Sequence, residues 1–236
     1  MTIDKVSIKN ESTKENKKYY WQEITVVLCI AVLPYIYWGI EWLVWPGQKL
    51  ETPFIREKVS LMWRYLVMFI PVYYIVKLNS IKLEKLFLER IRLKQFVHGA
   101  VVGMLGLVIA VTLTMFLENS NAITPYANAN EQLPISGIVF YFFTIATALV
   151  VSFVEEYIFR MYMYKRLTIA TGREWVAIVL SILLYGMYTS LGTDWGNFCV
   201  AIGLGTIYML SFTVFKSIWP GVVGHFLVDT IFSIKF

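Results

Sequence analysis

Charge is scarce in this chain of 236 residues. Asp, Glu, Lys and Arg together make up 16% of it, against about 25% in an ordinary soluble domain. That shortage excludes a normal water-facing surface. Cysteine is almost missing as well. Cys29 and Cys199 both fall inside apolar runs, which fits small core residues and leaves no disulfide framework and no CxxC metal site. There are two His, His98 and His225, and no HExxH motif. No internal repeat is visible, and no linker is long enough to separate independent domains. The first 20 residues are polar, so a cleavable secretory signal is not expected. In place of these features stand apolar residues: 58% of the chain, a mean hydropathy of +0.61, and 17% aromatics. They come in runs of about 20, the length that crosses a bilayer as a helix. Many Trp and Tyr fall near the ends of those runs, as in interfacial belts. The fold class expected is therefore all-α, a polytopic transmembrane helix bundle of about seven to eight spans. The net charge of +5 follows from basic residues gathered in loops on the cytoplasmic side and is no signal for nucleic acid.

Three regions follow from composition. Residues 1–20 are rich in Lys, Glu and Ser and read as a disordered cytoplasmic tail. Residues 21–134 hold the N-terminal membrane helices. Spans are expected over Ile24–Trp45, with Glu41 as an interfacial carboxylate, over Val59–Val76, with Arg64 snorkelling and Pro71 as a kink, and over Phe96–Phe116. Pro46-Gly47 ends the first. Between the second and third, Lys77–Gln95 alternates basic and apolar residues and reads as an amphipathic segment at the cytoplasmic surface. Gly99 and Gly103 have the GxxxG spacing that lets helices approach closely. His98, at the start of that span, reads as interfacial. The connector Leu117–Pro134 carries no Lys or Arg and belongs outside. Residues 135–236 hold four further spans: Ile135–Leu167, Trp175–Leu191, Asn197–Phe215 and Ile218–Ile234. Lys165, Arg166 and Arg173 mark the cytoplasmic end of the first of these. The N-terminus is cytoplasmic and the location a cell membrane, crossed several times.

The run from Ile135 to Val154 contains no ionisable side chain except tyrosine, and then Glu155, Glu156 and Arg160 arrive together. Charge at membrane depth is costly and usually faces a protein-lined or wet cavity, paired. Glu156 and Arg160 are one turn apart and can pair along one face. In a regular helix Glu155 points about 100° away and is left over. A carboxylate held in low dielectric, free of the neighbouring cation, suits a general base. A plain helix end with charges at the membrane surface stands against this reading. The distance of Glu155 from Lys165, about 15 Å of helix, weakens that alternative. In the last span His225 and Asp229 again share one face. They either glue helices together or meet the carboxylates of the fourth run.

Glu155-Glu156-x-x-x-Arg160 followed by His225-x-x-x-Asp229 resembles the CPBP family of CAAX proteases and bacteriocin-processing membrane enzymes, also called Abi proteins. The stretch from Gly203 to Tyr208 and from Lys216 to His225 is similar to that family's penultimate helix, turn and final motif. The resemblance covers residues 137–233. It implies a glutamate-dependent intramembrane endopeptidase with no metal and no cofactor. By the same resemblance Glu155 activates a water, Glu156 and Arg160 organise the site, and His225 with Asp229 forms the polar pair at the oxyanion. Since a carboxylate cannot donate a hydrogen bond, Asp229 would orient His225 rather than cover the oxyanion. The implied partners are the lipid bilayer and a peptide or protein substrate, or a bacteriocin, reaching the site from the cytoplasm.

One departure stands out. The family carries Phe-x-x-x-His in the next helix, where this chain has Tyr185 and Thr189. A threonine hydroxyl bonds water but takes up no proton near neutral pH. Two readings follow. In one, Thr189, Tyr188 or Ser190 positions the water in a divergent protease. In the other, catalysis is lost and the fold serves bacteriocin self-immunity or binds another membrane protein. A zinc site built from Glu155, Glu156, His225 and Asp229 and a small transporter using the buried charges are the remaining alternatives.

Overall fold

The computed structural model describes residues 18–32, 54–78, 92–119, 137–191 and 193–235. Among the described residues every regular element is helical. In chain order these are α1 (18–32), α2 (Phe54–Leu78), α3 (Leu93–Asn119), α4 (Gly137–Glu155), a π-helical stretch (Glu156–Met163), α5 (Tyr164–Thr171), α6 (Glu174–Thr189), α7 (Trp195–Phe215) and α8 (Trp219–Lys235). Among the described residues four stretches are long and apolar enough to cross a membrane: 58–77, 93–118, the continuous rod 137–171, and 195–215; α6 and α8 are apolar but shorter. The expected bundle of membrane helices is thus present. The far half of the span expected over Ile24–Trp45, Glu41, Pro46-Gly47 and most of the segments Lys77–Gln95 and Leu117–Pro134 lie outside the described residues, as does the tail up to residue 17. The expectation of disorder through residue 20 gives way at its end, because α1 already begins at residue 18.

Local chemistry sets the helix ends. The rod 137–171 stops at Gly172, which adopts φ 69° and donates its N–H to the Thr168 carbonyl, the left-handed cap that a residue without Cβ takes freely. The Asp194 side chain accepts from the Asn197 N–H at 2.9 Å and so caps α7 at its start. Lys216, at φ 51°, ends α7 and turns the chain directly into α8.

Packing fixes the directions. Tyr65 reaches Glu155, and the Phe69 and Tyr157 rings meet at 5.1 Å, so α2 runs parallel to the rod. α6 folds back along it: Tyr164 bonds the Glu174 carboxylate near one end, and Phe159 packs on Tyr185 further along. α3 and α8 run side by side in one direction with little between them. A Cβ at Gly224 would lie 2.9 Å from the Gly103 nitrogen, and one at Gly99 would lie 2.4 Å from the Val223 Cβ. The small-residue spacing read at Gly99 and Gly103 therefore serves a close helix crossing, with Gly224 as its counterpart. One end of the bundle carries Leu78, Leu93, Gly172 and Lys216; the other carries Phe54, Gly137, the α6–α7 turn and Lys235.

Arg166 corrects the reading of a surface marker. It is buried, its Nη2 lies 2.9 Å from Glu23 Oε2 of α1, and its guanidinium faces the Tyr20 ring at 4.8 Å. The N-terminal helix is thereby clamped to the end of the rod, and Lys165 and Arg173 remain as the markers of that end.

Candidate active site

The regular helix assumed for Glu155–Arg160 is not what forms. The chain widens into a π-helix at Glu156, where hydrogen bonds run to the fifth residue back, a geometry that recurs at functional sites. The Tyr164 N–H reaches the Phe159 carbonyl across this wide turn. The same carbonyl also accepts from the Ser181 hydroxyl of α6 at 2.5 Å, so a side chain from a neighbouring helix supports the bulge. Every side chain from Glu156 to Met163 is buried. This stretch is the centre of the molecule, not a helix end at a membrane surface.

The two carboxylates separate as their sequence neighbourhood suggests. Arg160 Nε lies 3.4 Å from Glu156 Oε2. Its guanidinium carbon sits 4.0 Å from the centroid of the Tyr185 ring and 5.5 Å from that of Tyr208. The cation is thus compensated by one carboxylate and two aromatic faces. Tyr185, which stands where the resemblance puts a Phe, keeps the ring and uses its face to hold Arg160. Gly205 makes room for that ring, since a Cβ there would lie 2.7 Å from a Tyr185 ring carbon.

Glu155 turns the other way. The Tyr65 hydroxyl donates to its Oε1 at 2.5 Å, across 90 residues of sequence. Its Oε2 lies 3.5 Å from His225 Nε2. His225 is the hub: Nδ1 is 3.3 Å from Glu156 Oε1, and Nε2 is also 3.5 Å from Asp229 Oδ2. The Tyr208 ring stacks on the imidazole at 4.7 Å and holds its plane. Relative exposures of 2% for Glu155, 0% for Glu156, 1% for Arg160 and 3% for His225 leave these groups one another, the tyrosines around them and the cavity beside them. Charges from distant helices meet here because no single helix can satisfy them in an apolar interior.

The cavity has a volume of about 280 Å³ and is lined by Tyr65, Glu155, Tyr185, Thr189, His225 and Asp229, with Asn197 and Thr193 toward its rim. Thr189 therefore faces the same space as Glu155 and His225. Its hydroxyl lies 3.0 Å from the Tyr185 carbonyl and 3.2 Å from that of Gly186, so its proton is given to its own helix. What it turns toward the cavity is acceptor capacity only. Tyr188 and Ser190 do not line the cavity. Tyr188 packs edge-on against Tyr65 at 6.2 Å, and the Ser190 hydroxyl returns to the Gly186 carbonyl at 2.7 Å. His98 is remote from the site, stacked on Phe215 at 4.3 Å.

Tyr65, Tyr208 and Asn197 are the site residues that sequence reasoning missed. No signal marks Tyr65 among the 15 tyrosines of the chain, and Asn197 stands outside any motif; Tyr208 closes the stretch from Gly203 that resembles the family's penultimate helix, which could have pointed to it. Exposed Thr193 and partly buried Asn197 put the rim beside the α6–α7 turn, at the end of the bundle opposite Lys165. Among the described residues no group of three or more His, Cys, Asp and Glu side chains is arranged to hold a metal ion.

Residues 137–231 match the family model described as Type II CAAX prenyl endopeptidase Rce1-like. No curated protein and no solved structure matches the chain.

Proposed function

We propose, from the match of residues 137–231 to the Rce1-like family model, that the chain is an intramembrane endopeptidase whose base is Glu155. A water in the cavity gives a proton to Glu155 as its oxygen attacks a peptide carbonyl carbon. Tyr65, donating to Oε1, fixes the carboxylate so that Oε2 faces the reacting water. His225, its plane held by the Tyr208 ring and its Nδ1 by Glu156, turns its Nε2–H from Asp229 to the carbonyl oxygen as negative charge develops there. The C–N bond then breaks, and the proton held on Glu155 passes to the leaving nitrogen. Glu156 and Arg160 form the floor that keeps His225 in place. Thr189 accepts a hydrogen bond from the attacking water. The observation that carries this reading is the approach of Glu155 Oε2 to His225 Nε2, 3.5 Å apart, at the wall of a cavity that Asp229 and Thr189 also line.

The test is to compare new protein N-termini in membranes of cells carrying the wild-type chain and the Glu155→Gln variant. Cleavage sites present with the wild type and missing with the variant are expected. Identical sets of termini would overturn the protease reading.

One observation favours a second reading. The hydroxyl proton of Thr189 is consumed within its own helix, so the place of the family's second His offers no proton relay. On that reading the same cavity binds a peptide without cutting it, in bacteriocin self-immunity or in regulation of another membrane protein. Binding that survives in Glu155→Gln, with no cleavage by the wild type, would select it.

A further inference from the structure

The position of the cavity along the bundle carries information about its substrate. Four of the five helices contribute to the cavity from one half only. α4 supplies Val151 and Glu155 but nothing from the π-helical stretch onward; α7 supplies Asn197 to Leu204, its first half; α6 supplies Tyr185 and Thr189, its last turn. Tyr65 belongs to the first half of α2. α8 contributes from its middle, with His225 and then, one turn further from Lys216, Asp229. Four helices thus put the cavity toward the α6–α7 turn.

Lys and Arg are fewer toward the mouth, where the sequence has Lys49, Arg56, Lys58 and Lys235, than toward the other end. Segment 77–94, which links α2 to α3, contains six Lys and Arg, and residues 1–18 contain five Lys. Lys165, Arg173 and Lys216 close the same end. The segments 119–136 and 190–194, at the end where the cavity opens, contain no Lys or Arg. Short loops rich in Lys and Arg stay on the cytoplasmic side.

A second hollow of about 210 Å³ continues from the first toward the same end. Asp229 and Val151 border both, and Lys58, Thr144 and Thr147 line the continuation. The hydroxyls of Thr144 and Thr147 are buried and have no hydrogen-bond partner among the described residues. Such groups are costly unless something bonds them. Thr144, Thr147, Val151 and Glu155 lie along one face of α4. From Thr144 to Glu155 the helix rises about 16 Å, the length of about five residues of extended chain.

We propose that the site is entered from the non-cytoplasmic face, by an extended polypeptide lying along α4 with backbone groups bonded to Thr144 and Thr147. Its substrates are then exported polypeptides or the outer segments of membrane proteins, not the C-terminus of a protein resident in the cytoplasm. The substrate part rests on the endopeptidase reading; the direction of access does not.

The experiment separates the two. In the full chain with Cys29 and Cys199 replaced by alanine, Thr193→Cys and Ser233→Cys report the rims of the two hollows, and Arg173→Cys reports the opposite end. A membrane-impermeant maleimide is added to sealed right-side-out vesicles before and after permeabilisation. All three variants must label after permeabilisation, which shows that the thiols are reachable in the membrane-embedded chain. Labelling of Thr193→Cys and Ser233→Cys in sealed vesicles, at least about tenfold faster than Arg173→Cys, is the expected result. The reverse pattern, or labelling of neither rim until the vesicles are opened, overturns the proposal. Because no cleavage is read, a failed protease test leaves this result standing, and the converse also holds.

Discussion

Gly221 backs directly onto the carboxylate of Glu156. A Cβ at that position would lie 2.5 Å from Glu156 Oε2 and 3.2 Å from its carboxyl carbon. Glu156 in turn holds both Arg160 and His225. The glycine that opens the last helix is thus the place where α8 comes close enough to deliver His225 to the carboxylates. Gly221→Ala is expected to push Glu156 out of register. Cleavage falls by about 10- to 100-fold, as for other ångström-scale misplacements in active sites, while the amount of folded protein stays near wild type. Loss measured in membrane extracts at equal protein level checks it; unchanged turnover would show that Glu156 moves aside without consequence.

Glu155→Gln keeps the shape of the side chain and removes the proposed base. General base catalysis contributes about 100- to 10,000-fold, and a loss of that size is expected. Glu155→Asp, with a carboxylate one methylene short, should recover part of it if the group acts as a base and none if its role is only to fill space.

Tyr65→Phe removes the hydroxyl that donates to Glu155 Oε1 and little else. A hydrogen bond to a charged group is worth about 1.5–3 kcal/mol, so a fall of roughly 10- to 100-fold in kcat is expected with little change in KM. A change confined to KM would mean that Tyr65 contacts substrate rather than holding the base.

Thr189→His restores a titratable ring at the cavity wall. Cleavage is expected to rise if the wild-type chain is a slow enzyme, read as more of the Glu155-dependent termini. No rise, with the variant folded, would mean that the water is placed by other groups.

Gly224→Leu tests packing apart from chemistry. Its side chain would collide with the Gly103 nitrogen and Val102, and overpacking of this kind costs about 1–3 kcal/mol. A lower melting temperature of detergent-solubilised protein is the expected outcome, with Gly224→Ala less affected.

Much of the site was readable without coordinates. A run of apolar residues makes any carboxylate conspicuous, so Glu155, Glu156, Arg160, His225 and Asp229 announced themselves, and their cost in lipid implied that they would meet. The structure brings all five together. Tyr65 was not readable, because tyrosines are common here and an amphipathic ring near a helix end has an ordinary explanation. The π-helix was not readable either. Ser181, on another helix, bonds the Phe159 carbonyl within it, and no local pattern within 156–163 encodes that partner. Arg166 misled for a similar reason: its place at the end of a long apolar run suggested a surface charge, while Glu23 of a distant helix buries it.

By itself the amino-acid sequence determined that this protein is a helical membrane bundle and that Glu155, Glu156, Arg160, His225 and Asp229 lie within it. Both follow from transfer free energies that depend on residue type and spacing alone. The tertiary structure decided which partner each charge takes, that the Thr189 proton is spent on its own helix, and at which end the cavity opens. Those outcomes depend on how helices far apart in the chain face each other, and short-range patterns carry no record of that.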